Sequence, residues 1–318
     1  MKTLLILPYF GTLPNYFDLY LHTVKANPSI DWLLFTDDTT PRDFPPNMQV
    51  IHMSWEDMKA RMQTRFDIRL NLERKHKLCD FKPAYGYIFE NHLDGYDFWG
   101  HCDPDIIWGN FDRFIDYDKF EGIDKIFILG HLTLFRNTPE NNRRFMEEVD
   151  DQLRYRHVLT NRLGFAFDEK FDGSINNIFM EHGWPMFTES FAADIDPYHT
   201  NFRLSILDFD TQRYRLDGVK RQIFTWEDGH VYRYYIKQKQ LVKEEFLYVH
   251  LQKRKMALNL TKPFPQRFLI NPKSFDSLDE PITIENFNAH YRHYWFNNQF
   301  FKVKYNSLKF RLKYKVYG

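Results

Sequence analysis

The sequence predicts an α/β protein: a mixed, mostly parallel Rossmann-like sheet flanked by helices, with a basic, aromatic extension at the C-terminus. Three observations carry this expectation. A strand, a helix and a second strand follow one another within the first 36 residues, the order that makes a parallel βαβ unit. The run Asp97-Phe98-Trp99-Gly100-His101-Cys102 is of strand length and leads directly into Asp103-Pro104-Asp105, and open α/β sheets bind ligands beyond the carboxyl ends of their strands. A chain of 318 residues with 43% hydrophobic content suits one large α/β domain or one domain with an appendage.

Taken in order, residues 4–7 form a short apolar run, expected as a buried first strand closed by Pro8-Tyr9-Phe10-Gly11. Tyr16, Leu19, Tyr20 and Val24 recur at helical spacing and predict an amphipathic helix to about residue 27. Residues 31–36 are the second strand, with Asp37 and Asp38 at its end, and residues 49–53 are a weaker one. Helical spacing runs from 55 to 76. Pro83 then takes a helix N1 position, and the helix continues from 84 to 92 until Gly95 stops it. Past the acidic pair, 125–129 and 132–135 are expected strands and 138–159 a helix. Asp172-Gly173-Ser174 is the N-cap signal for a helix over 175–182. Alternation over 226–235 around Asp228-Gly229 is a hairpin signal, and 246–250 is a last apolar strand ending in His250. Composition changes after Pro263 and Pro265, which divides the chain into 1–262 and 263–318.

Net charge is zero, so no global field attracts nucleic acid. The aromatic content of 18% is high; bulky core residues account for most of it, and aromatic surfaces also stack on sugars or bases. Two cysteines, Cys79 and Cys102, are too few for a disulfide scaffold. The N-terminal apolar run is too short for a signal peptide, and no run of membrane-spanning length occurs, so a cytoplasmic protein is expected.

The candidate chemistry begins at Asp103 and Asp105. On extended backbone, residues i and i+2 project to one side, and two hard oxygen ligands suit Mg²⁺ or Mn²⁺ holding a diphosphate; the alternative is a pair of solvated turn carboxylates. His250 could complete such a site, and the basic run after it, Lys253 included, could neutralise phosphates, unless the imidazole only caps a strand and the cations are a solvated face. Among the acids before the 175–182 helix, Glu169 and Asp172 are candidates for a general base, or simply cap and surface residues. Tyr9 and Phe10 after the first strand, and Asp37 and Asp38 after the second, could face a nucleotide; Lys77 and Lys82 could reach a phosphate. Each has an equally good loop explanation. No G-x-G-x-x-G, P-loop, G-x-S-x-G or paired C-x-x-C occurs, which removes dinucleotide oxidoreductases, P-loop NTPases, α/β-hydrolases and zinc ribbons.

Four stretches in order, Leu5-Ile6-Leu7-Pro8-Tyr9-Phe10-Gly11, Trp32-Leu33-Leu34-Phe35-Thr36-Asp37-Asp38, Cys79-Asp80-Phe81-Lys82-Pro83-Ala84-Tyr85-Gly86, and Tyr96 through Asp105, resemble a family of bacterial glycosyltransferases with the GT-A fold, found in capsular and exopolysaccharide gene clusters. The resemblance covers roughly residues 1–260. It implies that 1–262 is a nucleotide-sugar transferase domain using a UDP-linked donor and a divalent metal, Mn²⁺ or Mg²⁺. In such enzymes the D-x-D and a late histidine bind metal, matching Asp103, Asp105 and His250, and the acceptor-side acid falls near Glu169 or Asp172. The G-x-K-P-W that follows the late histidine in glycogenin-like enzymes is missing here, so their retaining chemistry is not carried over. The sugar stays open between galactofuranose, which some related capsular enzymes transfer, and another hexose.

The expected partners are therefore a UDP-sugar and a glycan or lipid-linked acceptor. Residues 286–318 contain no acid and interleave Lys and Arg with Phe, Tyr and Trp, so this stretch is a candidate for docking on the inner face of the plasma membrane, against the alternative that its aromatics pack on the domain. Two rival functions remain: a nucleotidyltransferase, which would normally show a Gly-rich loop after the first strand, and a non-catalytic glycan- or lipid-binding protein.

Overall fold

The first strand, β1 (Thr3–Tyr9), is buried at six of its seven positions, as its unbroken apolar sequence requires of a strand covered on both faces. It pairs in parallel with β2 (Ile30–Thr36), in register from Thr3–Ile30 to Tyr9–Thr36, and β3 (Met48–His52) extends that edge, also in parallel. On its other side β1 pairs in parallel with β4 (Phe98–Cys102). After β5 (Ile106–Trp108), which belongs to a different sheet, the chain returns as β6 (Lys125–Leu129), β7 (Leu132–Arg136) and β8 (Met186–Phe187). The seven-stranded order is β3-β2-β1-β4-β7-β6-β8; only β7 runs antiparallel to its neighbours. This is the mixed, mostly parallel α/β sheet that the sequence predicts.

The computed structural model describes residues 1–252 and 254–314. These form two units: Met1–Leu13, Asn27–Pro104 and Phe111–Ser190 in the first; Pro14–Ala26, Asp105–Asn110 and Phe191–Gly318 in the second. In the first unit, Leu4, Ile6, Leu33 and Phe35 of the sheet share a core with Met58 and Met62 of the helix Trp55–Gln63 and with Ile178 and Phe179 of the helix Ile175–Glu181. Trp99 organises the middle of this core. Its ring stacks on Phe135 at 4.5 Å, and its indole N–H donates to Asn142 at 2.6 Å. The same ring lies over Gly86, where an added Cβ would stand 2.3 Å from it.

Several helices differ from expectation. Helical spacing over 55–76 gives a helix only to Gln63, because the Gln63 side chain donates to the Ile68 carbonyl and accepts from the Leu70 amide, turning the chain. Residues 75–92 are a succession of short turns, with Pro83 inside the 3₁₀ turn Lys82–Ala84, and not one helix. The helix expected over 138–159 is a 3₁₀ segment, Asn141–Met146, and a helix, Arg154–Thr160. Asp150 and Asp151 between them adopt left-handed backbone, which no continuing helix tolerates. The N-cap of Ile175–Glu181 is Ser174, in a capping box with Asn177.

In the second unit, β15 (Tyr248–His250) lies between β5, antiparallel, and β9 (Ala192–Asp194), parallel. It is separate from β14 (Gln240–Phe246) because Leu247 leaves the ladder to donate to the Phe191 carbonyl. β10 (Ser205–Asp208) and β11 (Arg213–Leu216) form a two-stranded ribbon. β12 (Ile223–Glu227) and β13 (His230–Lys237) form the hairpin signalled by Asp228-Gly229; both loop residues have positive φ, as a type I′ turn demands. These strands belong to a six-stranded sheet, β14-β13-β12-β17-β18-β16, completed by β16 (Ala257–Leu258), β17 (Arg267–Ile270) and β18 (Ser274–Ser277). Residues 263–318 thus supply two core strands before reaching the helix Asn298–Tyr314.

Gly100 tests the packing of the first unit's sheet. A Cβ there would lie 2.5 Å from the Thr133 carbonyl on β7 and 2.6 Å from the Leu134 side chain. Gly100→Ala is expected to destabilise the protein by about 2 kcal/mol, the range for overpacking against backbone, measured by urea unfolding.

Candidate functional site

In the first unit the polar centre is built on Lys82. Its position in the 3₁₀ turn Lys82–Ala84 buries the side chain, leaving 6% exposed. The ammonium donates to Asp103 Oδ1 at 2.7 Å and to the Gly130 carbonyl at 2.7 Å, and pairs with Asp168 Oδ2 at 3.2 Å. Burial opposes its charge, but the Asp103 and Asp168 carboxylates outweigh burial and hold the amine protonated well above the usual lysine range. Asp168 is pushed up to about 7, first by burial, with Lys82 pulling the other way and Glu169 and Asp103 adding repulsion.

Gly130, between β6 and β7, makes this convergence sterically feasible. A Cβ at that position would stand 2.4 Å from Asp168 Oδ2 and 3.1 Å from Glu169 Oε2. Its amide donates to Glu169 at 3.1 Å. Behind the acidic loop, Asn176 donates to the Ile128 and Glu169 carbonyls and accepts from Lys125 at 2.7 Å. Lys125 is fully buried, and burial lowers its pKa to about 7. The start of the Ile175–Glu181 helix thereby fixes the backbone that presents Asp168 and Glu169.

The other expected residues of this unit have structural partners. Tyr9 donates through its hydroxyl to the Thr12 carbonyl. Phe10 is buried with its ring 5.2 Å from Trp55. Asp37 accepts from the Gly11 amide and pairs with Lys75 at 2.8 Å. Asp38 accepts from the amides of Thr40 and Leu13, and its pKa is lowered to about 2, first by a hydrogen bond from the Thr40 side chain and then by the Leu13 amide. The two aspartates therefore shape the loop after β1. Lys77 is buried against Asp80 at 2.8 Å and also donates to the Leu163 carbonyl; Asp80 accepts from Phe165 and Phe167, so this pair steers the segment leading to Asp168. Glu169 is half-buried in the Lys82 group, whereas Asp172 is exposed.

In the second unit, β15 places His250 opposite Asp194 on β9 and Ile106 on β5. His250 Nδ1 is 2.8 Å from Asp194 Oδ1, and Nε2 is 3.5 Å from Asp105 Oδ1. Gln252 also donates to Asp194, at 2.8 Å. Asp105, Asp194 and His250 are all buried. An Asp194 carboxylate on Nδ1 orients the ring and directs Nε2 toward Asp105, the arrangement seen around metal-binding histidines. The donor set of imidazole and carboxylate is compatible with a divalent cation. Asp103 precedes Asp105 by two residues, with Asp103 in the first unit and Asp105 in the second. Lys253 lies outside the described residues.

Asp194 and Gly130 escaped the sequence reading, which noted Asp168 only as one of three acids before the 175–182 helix and not as a partner of Lys82. Asp194 carried a usable signal, a carboxylate at the end of an apolar pair of alanines. Gly130 carried none, because its role is the close approach of side chains from 168 and 169.

A family model described as a family of unknown function, DUF6625, matches residues 5–279. No curated protein matches the sequence. Among solved structures, mouse xyloside xylosyltransferase 1 in its apo form is similar with a TM-score of 0.39 and 8% identity, over 62% of this chain and 89% of that one.

The charge on His250 gives a pH signature. Burial lowers its proton affinity, but hydrogen bonds and charges from Asp105 and Asp194 prevail and raise the pKa from 6.5 to about 10. The protonated ring then stabilises the fold fully below pH 6.5, and this stability is lost as pH rises through about 10. In chelator-treated protein the melting temperature is expected to fall across that window, and to fall less in His250→Asn. Parallel curves for the two proteins would show that His250 does not carry the effect.

Proposed function

We propose that this chain, which belongs to the family of unknown function DUF6625, is a metal-dependent glycosyltransferase. It moves a sugar from a UDP-sugar, galactofuranose or another hexose, to a glycan or lipid-linked acceptor in surface polysaccharide synthesis. The observation that carries the reading is His250, oriented by Asp194 and set 3.5 Å from Asp105 at the end of a strand-borne D-x-D. Asp103, Asp105 and His250 would hold Mn²⁺ or Mg²⁺. A divalent cation bound there supplies charge stabilisation to the departing nucleoside diphosphate.

Lys82 holds Asp103 in place; Lys253 stays a candidate for neutralising the phosphates from its sequence alone. Tyr9, Phe10, Asp37, Asp38 and Lys77 border the nucleotide, their loop contacts shaping its seat. Of the two candidate bases we favour Glu169 over Asp172. Glu169 is fixed by the Gly130 amide next to buried Asp168, while the Asp172 side chain is exposed. In an inverting reaction Glu169 accepts the acceptor hydroxyl proton as the new glycosidic bond forms and the bond to the diphosphate breaks.

A membrane partner is favoured by the C-terminal helix. Among the described residues no helix is long and apolar enough to cross a membrane. Near and along Asn298–Tyr314, however, Trp295 is 93% exposed, and Phe296, Phe301, Tyr305 and Leu312 are exposed as well. Large aromatics left uncovered among basic residues suit a headgroup layer with anionic lipid. We place the protein in the cytoplasm, peripheral on the inner face of the plasma membrane.

Metal-dependent UDP release in a screen of UDP-sugars tests the activity. Pyrophosphate release would indicate nucleotidyl transfer instead, and binding without turnover a glycan- or lipid-binding protein. Asp105→Ala is expected to abolish Mn²⁺-dependent UDP binding while the fold is kept; unchanged UDP affinity by calorimetry would remove the metal site. Glu169→Gln should lower kcat by about 10²-fold or more, as loss of a general base does, with donor affinity nearly unchanged. Normal turnover in both Glu169→Gln and Asp172→Asn would exclude these bases and favour a retaining route. Deleting residues 298–318 should abolish salt-sensitive flotation with phosphatidylglycerol vesicles; equal flotation of both proteins at low salt would sink the membrane reading.

A further inference from the structure

Within the second unit a cavity of about 530 Å³ is walled by Arg203, Lys220 and Arg221 and by Tyr291, Tyr294 and Trp295; no Asp or Glu lines it. Its wall is held together by specific contacts. The Thr200 amide donates to Asn297 Oδ1 at 2.8 Å, and Asn201 exchanges hydrogen bonds with the backbone of Tyr294 at 2.8 and 2.9 Å, which fastens the 200–201 segment to the 294–297 segment. From below, Arg254, 5% exposed, donates to the carbonyls of Thr200 and Asp196. Arg221 lies over the Tyr291 ring at 5.1 Å, and Lys273 over Tyr294 at 4.0 Å.

Among the described residues no ion pair joins Arg203, Lys220 or Arg221 to a carboxylate, and Arg221 donates to the Asn288 side chain at 2.6 Å. Asp196 pairs with His199 at 2.6 Å, and Asp217 pairs with Arg233 through Oδ2. Arg203 donates through Nη2 to the Asp217 carbonyl, but its Nε is buried with no hydrogen-bond partner. Arg203 shares the cavity lining with two more cations and no acid. Guanidinium groups together with an ammonium match a phosphate.

We propose that this cavity binds a phosphate group carried on a larger body, with Arg203, Lys220 and Arg221 on the phosphate and the rings of Tyr294 and Trp295 against the rest. The volume exceeds that of a free ion, and the aromatic wall continues into the exposed start of the Asn298–Tyr314 helix. Phosphate is common to a phospholipid headgroup and to a soluble phosphorylated saccharide. The site shares no residue with Asp103, Asp105 or His250 and does not depend on the metal reading.

The test uses the full-length chain and two probes: inorganic phosphate by calorimetry, and phosphatidylcholine vesicles containing phosphatidylglycerol by flotation. Lys220→Glu and Arg221→Gln alter exposed side chains and leave the core intact. Lys237→Glu, a reversal on an exposed residue outside the cavity, controls for net charge. We expect each cavity variant to weaken binding by about tenfold, the loss of a charged hydrogen bond, with the control unchanged. Loss with both probes assigns the site to a membrane phosphate; loss with phosphate alone assigns it to a soluble phosphorylated ligand. If neither probe separates the cavity variants from wild type, or if Lys237→Glu weakens binding equally, the proposal fails.

Discussion

The ammonium of Lys82 is the contact on which the acidic centre of the first unit depends. Placing a full charge at a buried position is unfavourable unless opposite charge and hydrogen bonds surround it. Lys82 meets that condition with Asp103 from the end of β4, Asp168 from the loop before a helix, and the carbonyl between β6 and β7. Three segments distant in sequence are thereby held at one point. Removing the cation would leave two carboxylates crowded in a poorly solvated space, so the geometry of Asp103 follows from Lys82 as much as from its own strand.

A parallel logic governs His250. Its strand, β15, has neighbours on both sides, and each contributes to the surroundings of the ring: Asp194 from β9, and Asp105 from just before β5. The two carboxylates divide the work. Asp194 fixes the tilt of the ring through Nδ1, and Asp105 faces Nε2. A divalent cation placed at that nitrogen would have to displace its proton.

The second unit combines a packed interior with an uncovered margin. Trp226 stacked on Phe268 and the hairpin of β12 and β13 give its larger sheet a firm core. Toward the C-terminus the aromatics turn outward and the acids disappear. Residues of one composition thus serve two ends: where strands carry them they fill a core, and along the Asn298–Tyr314 helix, which meets Tyr198 and Thr200 near its start, Phe301, Tyr305 and Leu312 remain exposed.

The pattern of residues alone determined the α/β class, the parallel β1–β2 pair, the Asp228-Gly229 hairpin and the strand-end position of Asp103. All of these rest on local periodicity, on turn chemistry, or on strand–helix–strand order. It also marked His250 as a strand-end imidazole. It did not reveal Asp194 as the partner of His250, or Asp168 and Gly130 as part of the Lys82 group, because those pairings join residues tens of positions apart whose individual signals are ordinary. The helix expected over 138–159 failed for a related reason: its spacing was helical, but two successive left-handed aspartates break the backbone, and that conformation is not written in hydrophobic period. Whether an acid caps a helix, supports a loop or faces a cavity is a question of which distant groups surround it, and that only the tertiary structure decided.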